Sequence, residues 1–151
     1  MEHSEVLLSS VEPWLNNLSV HDSDERPVWL APEYMGELVL DCPDVVSDLL
    51  RLFLCDAAVR LDILREQALN FDALAITKSL HTLKGSCFQI GAQRLGTLIQ
   101  DIESCYAAGQ CLDVVQLFHP VDEAFASLRT ELFNKIYLLE KGMWNYAHTD
   151  R

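Results

Sequence analysis

Apolar residues recur along this chain at spacings of three and four, the period of a helix that turns one face inward, and no stretch keeps the two-residue alternation of a strand. Between Pro43 and Leu69, the residues Val46, Leu50, Phe53, Ala57, Leu61 and Leu64 form one stripe, and Val45, Leu49, Leu52, Val59 and Ile63 form a second beside it. So broad an apolar surface predicts a central helix touching two or more others. Asp41-Cys42-Pro43-Asp44 reads as its start, because proline suits the first helical position and acids favour the positive end of the helix dipole. Asn70-Phe71-Asp72 breaks the pattern, with Asn70 as the expected cap of a helix over Asp72 to Gln89. Its seam is Ala73, Ile76, Leu80, Leu83, Cys87 and Ile90.

Gly91 can close that helix in a left-handed turn, and from Ala92 onward Leu95, Leu98, Ile99, Ile102 and Cys105 or Tyr106 predict a fourth helix ending at Gly109. A last helical region is expected over Leu112 to Leu139, where Pro120 bends it or starts its main segment and Val121, Phe125, Leu128, Leu132, Ile136 and Leu139 face inward. A short helix over Glu33 to Leu40 should turn Tyr34, Leu38 and Met35 inward. The periodicity thus predicts an all-α protein, an antiparallel four-helix bundle with a short additional N-terminal helix. Residues 1–30 read as an arm or short helix, 31–141 as the bundle and 142–151 as a tail.

At 151 residues, half of them hydrophobic, the chain suits one core burying roughly two-thirds of its unfolded surface. A net charge of −12 opposes nucleic acid and anionic membrane as partners, since both present phosphate. Five cysteines, Cys42, Cys55, Cys87, Cys105 and Cys111, make an odd set without a CxxC pair, which fits a reducing, cytoplasmic setting. The N-terminus lacks the basic start of a signal peptide, and Arg51, Asp56 and Arg60 interrupt Leu49 to Leu64 before it could span a bilayer. A soluble monomer is expected.

Charge placement changes this picture locally. Residues 73–100 contain no aspartate or glutamate although the chain has 23 acids, while Lys78, Lys84 and Arg94 all fall there. Inside this window lies Ser79-Leu80-His81-Thr82-Leu83-Lys84-Gly85-Ser86. At 100° per residue, His81 and Gly85 fall off the apolar seam, with Lys84 between them and the core. A neutral imidazole can take a phosphoryl group on nitrogen, a reaction governed by positioning and charge neutralisation. Lys84, one turn on, would set a flexible cation beside the phosphoryl oxygens. Gly85 would let a partner's backbone approach, a reason for a mid-helix glycine that costs about 1 kcal/mol relative to alanine. Taken singly, each residue has a plainer explanation: a surface histidine, an ordinary lysine, a glycine that packs helices together.

Together, His81-Thr82-Leu83-Lys84-Gly85-Ser86, Ile90-Gly91-Ala92, Arg94-Leu95 and Ile102-Glu103 resemble the signature of histidine-containing phosphotransfer (HPt) domains, four-helix bundles that carry a phosphoryl group between receiver-domain aspartates in two-component phosphorelays. The resemblance covers about residues 33–140. It implies that His81 is phosphorylated, that Lys84 is a phosphate-side cation, that Gly85 is the clearance position, and that Ser86 is the small polar residue ending the motif. Glu103 matches a position on the adjacent helix where relatives often carry a glutamate or glutamine that contacts the histidine. Cys87 and Phe88 depart from the smaller residues common there, and Phe88 would enlarge the docking surface.

Further implications are a phosphoryl carrier without ATP-dependent kinase activity, no cofactor of its own, Mg²⁺ supplied by the partner receiver, and receiver domains of a hybrid histidine kinase and a response regulator as partners. Docking would use residues around His81, the preceding long helix and the short N-terminal one. Two alternatives stand beside this reading. One is a non-catalytic helical interaction module in which His81 and Lys84 only form a polar face. The other is a metal site joining His81 to a cysteine, which the six-residue spacing to Cys87, on the seam, disfavours.

Overall fold

The computed structural model of the chain describes residues 26–109 and 118–144. Expectations for the arm before Arg26, for Cys111 and the segment from Leu112 to 117, and for the tail after Trp144 lie outside the described residues. The described residues form five helices: α1 (Glu33–Asp41), α2 (Pro43–Leu69), α3 (Ala73–Ile90), α4 (Gln93–Ala107) and α5 (Phe118–Glu140). There is no strand among the described residues.

Short connections force antiparallel neighbours. Asn70–Asp72 joins α2 to α3 and Gly91–Ala92 joins α3 to α4; α4 then packs on α5, and α5 returns to α2, closing a ring of four. Ion pairs Arg51–Glu140 and Arg65–Asp122 fix the antiparallel register of α2 against α5. The central stripe of α2, from Val46 through Leu50, Phe53, Ala57 and Leu61 to Leu64, is buried as its spacing predicts, against Leu80, Leu83, Leu95, Ile99, Leu128 and Leu132 of the other helices. Burying each such aliphatic side chain contributes about 1.5–3 kcal/mol, so the seams hold the bundle together.

Several expectations are corrected. The outer α2 stripe does not pack inside the bundle: Val45, Leu52, Val59 and Ile63 are exposed, because α1, α3 and α5 together cover only the face centred on Leu50 and Ala57. In α1, Met35 is fully buried while Tyr34 turns outward and donates its hydroxyl to the Gln89 carbonyl at 2.9 Å. Ala73 is exposed at the first turn of α3, and Phe125 is only half-buried. The cap of α3 is Asp72, whose Oδ1 accepts the Ala75 N–H at 3.2 Å, whereas Asn70 closes α2 at its C-terminus. Pro120 is the third residue of α5, in the first turn where no intrahelical N–H is required, so it opens the helix rather than bending it.

The core also reaches beyond residues 31 and 141. Trp29 is buried, donates its indole N–H to the Ile90 carbonyl at 2.7 Å, and meets the buried Trp144 with ring centroids 5.8 Å apart. Beside it the Leu30 N–H bonds to the Gly91 carbonyl at 2.8 Å. Gly91 sits at φ 90°, and a β-carbon there would lie 2.0 Å from the Leu30 carbonyl oxygen, so glycine is required both by the turn and by the strap that crosses it. No described helix is long and apolar enough to cross a membrane.

Candidate functional site

The seam of α3 decides where its chemistry points. With Leu80, Leu83 and Cys87 buried, His81 is driven to the outside, its side chain 72% exposed. The neighbouring α4 comes close because Gly96 has no side chain: a β-carbon there would lie 3.0 Å from the Phe88 ring and 3.2 Å from the Cys87 β-carbon. This approach, two turns from the histidine, sets the antiparallel register that brings Glu103 of α4 opposite His81 and Lys84.

Glu103 holds both. Its Oε2 lies 3.1 Å from His81 Nδ1, and its Oε1 accepts from the Lys84 ammonium at 2.6 Å. Its side chain is only 18% exposed and that of Lys84 22%. Burial pushes the Glu103 carboxyl up, but hydrogen bonds and charge from Lys84 and His81 outweigh it and hold the carboxyl below the usual glutamate range. An ionised carboxylate can only accept, so the network assigns the imidazole proton to Nδ1, which donates to Glu103. The lone pair is then left on Nε2, on an exposed ring with a fixed tautomer.

The positive charge of the acid-free window read from residues 73–100 is compensated at Lys84 from the neighbouring helix. Glu103, three residues past its end, folds back to neutralise Lys84, and Arg94 donates to the Arg26 carbonyl at 2.7 Å. Sequence order conceals this, because the pairing crosses from one helix to the next.

Gly85 and Gly96, one helix apart, stand in contrasting surroundings. A β-carbon added at Gly85 would meet nothing within 4 Å, so no internal packing requires glycine at this position. Phe88 is half-buried with its ring against Gly96; its bulk fills the α3–α4 contact rather than standing free beside the histidine. Ser86 faces the other way, into an open groove of about 300 Å³ between α1, α2 and α3 that is also lined by Tyr34, Leu49, Leu52, Phe53 and Gln89. Val59 and Ile63 carry the exposed apolar row onward along α2. Sequence reasoning missed this groove, although its signal was present: a second apolar stripe on a helix whose first stripe already fills the core. Cys87 is fully buried, its thiol pushed up to about 12 by burial, and lies on the seam away from the exposed His81, so the two do not form a metal pair.

Comparison with known proteins adds two findings. The family model described as the Hpt domain matches residues 48–132, more than half of the chain. Histidine-containing phosphotransfer protein 2 of Arabidopsis thaliana is 34% identical over 103 residues, which make up 66% of this chain and 65% of that protein. The chain thus covers a little under two thirds of that relative's length. No solved structure matches it significantly.

Proposed function

The chain belongs to the Hpt domain family, and from that premise we propose that it accepts a phosphoryl group on His81 from a phospho-aspartate receiver domain and passes it to another receiver in a two-component phosphorelay. The observation that carries this reading is the divided role of the imidazole: Nδ1 is bonded to Glu103 at 3.1 Å while the ring is 72% exposed, leaving Nε2 as a positioned nucleophile.

The step balances without a base. The Nε2 lone pair attacks phosphorus in line with the aspartyl oxygen; the N–P bond forms as the acyl P–O bond breaks, and the receiver's aspartate leaves as a carboxylate. Because Nδ1 keeps its proton, positive charge develops on the ring, and the Glu103 carboxylate next to that proton stabilises it. Lys84 serves twice: it neutralises Glu103, so that an anion beside the incoming phosphoryl group is not left bare, and, one helical turn from His81, it offers a flexible cation to the phosphoryl oxygens. Transfer to the next receiver is the reverse of this step. The Mg²⁺ that such receivers use belongs to the partner, and the chain acts as a carrier, with no kinase activity of its own and in the cytoplasm.

The receiver is proposed to dock over His81 and the apolar groove formed by Tyr34, Leu49, Leu52 and Gln89, using the bare backbone at Gly85 for its closest approach. A relay contact must release quickly, which suits a modest interface. The test is incubation with a receiver domain carrying labelled aspartyl phosphate: the native chain takes up acid-labile label, and His81→Gln takes up none. Equal labelling of the variant would refute the assignment, and no labelling of either would favour a helical interaction module without transfer.

A further inference from the structure

Two exposed apolar side chains stand at the end of α3 opposite the groove, and the fold buries neither. Phe71, in the turn that enters α3, is 85% exposed and held at φ 55°, in the left-handed region where a residue carrying a β-carbon is strained. Asparagine or glycine would make the same turn with less strain and without an aromatic ring in water. Leu74, in the first turn of α3, is 68% exposed. Backbone strain and exposed apolar area both cost stability, and their coincidence marks a surface completed by contact from outside.

Position says which contact. Leu74, Lys78, His81, Gly85 and Gln89 follow one another at steps of four, three, four and four, so they share one strip along α3, and all five are exposed. His81 stands at its middle, seven residues from Leu74 and eight from Gln89, which also borders the groove. At about 1.5 Å per residue the strip is about 22 Å long. An interface burying about 800 Å² on each partner is roughly 30 Å across, so a globular protein centred on His81 covers Leu74 as well as Gln89. Charge fits a receiver presenting an anionic aspartyl phosphate, since the strip carries Lys78 and no carboxylate on a chain whose net charge is −12. The acids nearest to it are engaged: Asp72 accepts the Ala75 N–H as the cap of α3, and Glu103 is paired with Lys84.

We propose that Phe71 and Leu74 form a second apolar anchor for the receiver, which docks astride His81 with one contact towards each end of α3. The inference rests on the receiver-docking reading above and adds to it the face on the N-terminal side of the histidine, outside the groove. Anchors on both sides hold the aspartyl phosphate in line with Nε2, whereas the groove alone lets the partner pivot about one end.

The experiment takes a receiver domain that transfers labelled aspartyl phosphate to the native chain and measures its Kd by titration calorimetry, with a denaturant midpoint for each variant. The full chain carrying Phe71→Asn and Leu74→Gln together should bind about tenfold more weakly. Its midpoint should be unchanged or higher, because asparagine tolerates a positive φ and glutamine suits a helix as well as leucine does. Tyr137→Gln, at a 56% exposed position on α5 across the ring from α3, should bind as the native chain does. Native affinity in the double variant would overturn the second anchor and leave transfer to His81 intact. So would a lowered midpoint accompanying the weaker binding, which would make the two residues structural, or an equal loss in Tyr137→Gln. If no receiver transferred its label to the native chain, the carrier reading itself would fall, and this anchor with it.

Discussion

In the proposed transfer the two ring nitrogens of His81 have different tasks, and the Glu103 contact at Nδ1 divides them. A hydrogen bond to a charged partner contributes about 1.5–3 kcal/mol, enough to hold one tautomer against the other. Glu103→Ala should therefore slow phosphoryl uptake about tenfold while leaving the bundle folded, measured by the initial labelling rate with circular dichroism as control. An unchanged rate would show that the tautomer is set elsewhere. The two glycines offer a sharper contrast. Gly85→Ala adds a methyl group into open space on a helix, so it should stabilise the fold by about 0.5–1 kcal/mol yet reduce transfer, because the lost clearance matters only to a visitor. Gly96→Ala drives a methyl group against the Phe88 ring and should destabilise the fold by about 1–3 kcal/mol. Denaturant midpoints of the two variants moving in the same direction would contradict this division. The histidine, lysine and two-faced character of α3 are legible in the sequence because one helix carries them all. The Glu103 bridge could be expected only from the resemblance, since its partners lie 19 and 22 positions away on another helix.

Among the elements, α3 and α4 follow their apolar spacing closely, and Gly91 closes α3 as read. The departures have local causes. Asn70 and Asp72 are both good caps, and the turn chose Asp72 because Phe71, at φ 55°, reverses the chain only after Asn70 has closed α2. Of the residues expected inward on α1, Met35 is buried and Tyr34 is not, because a helix of nine residues with several apolar positions does not declare its register. Trp29 was beyond sequence reasoning altogether: its partner is a backbone carbonyl 61 positions away. Trp29→Phe keeps most of the packing against Trp144 but leaves the buried Ile90 carbonyl without its indole donor. It should cost about 1–3 kcal/mol, read as a lower denaturant midpoint. An unchanged midpoint would mean that the strap contributes nothing to holding the end of α3.

For the whole molecule, periodicity supplied the bundle, but it could not distinguish an apolar stripe that packs inside from one that stays exposed. On α2 both exist side by side, and only the closed ring of helices shows which is covered. Leu52, 67% exposed in the groove, separates the two uses: Leu52→Glu should leave stability within about 0.5 kcal/mol and weaken receiver binding about tenfold, as measured by titration calorimetry. Binding unaffected by this change would move the docking face elsewhere. The central claim is narrower, that phosphorus ends on one atom of one residue. Phosphorus and nitrogen NMR of the chain after transfer from a phosphorylated receiver tests it most directly. The account predicts a single phosphohistidine signal coupled to Nε2 and lost in His81→Gln; coupling to Nδ1, or a signal that survives the substitution, would contradict it.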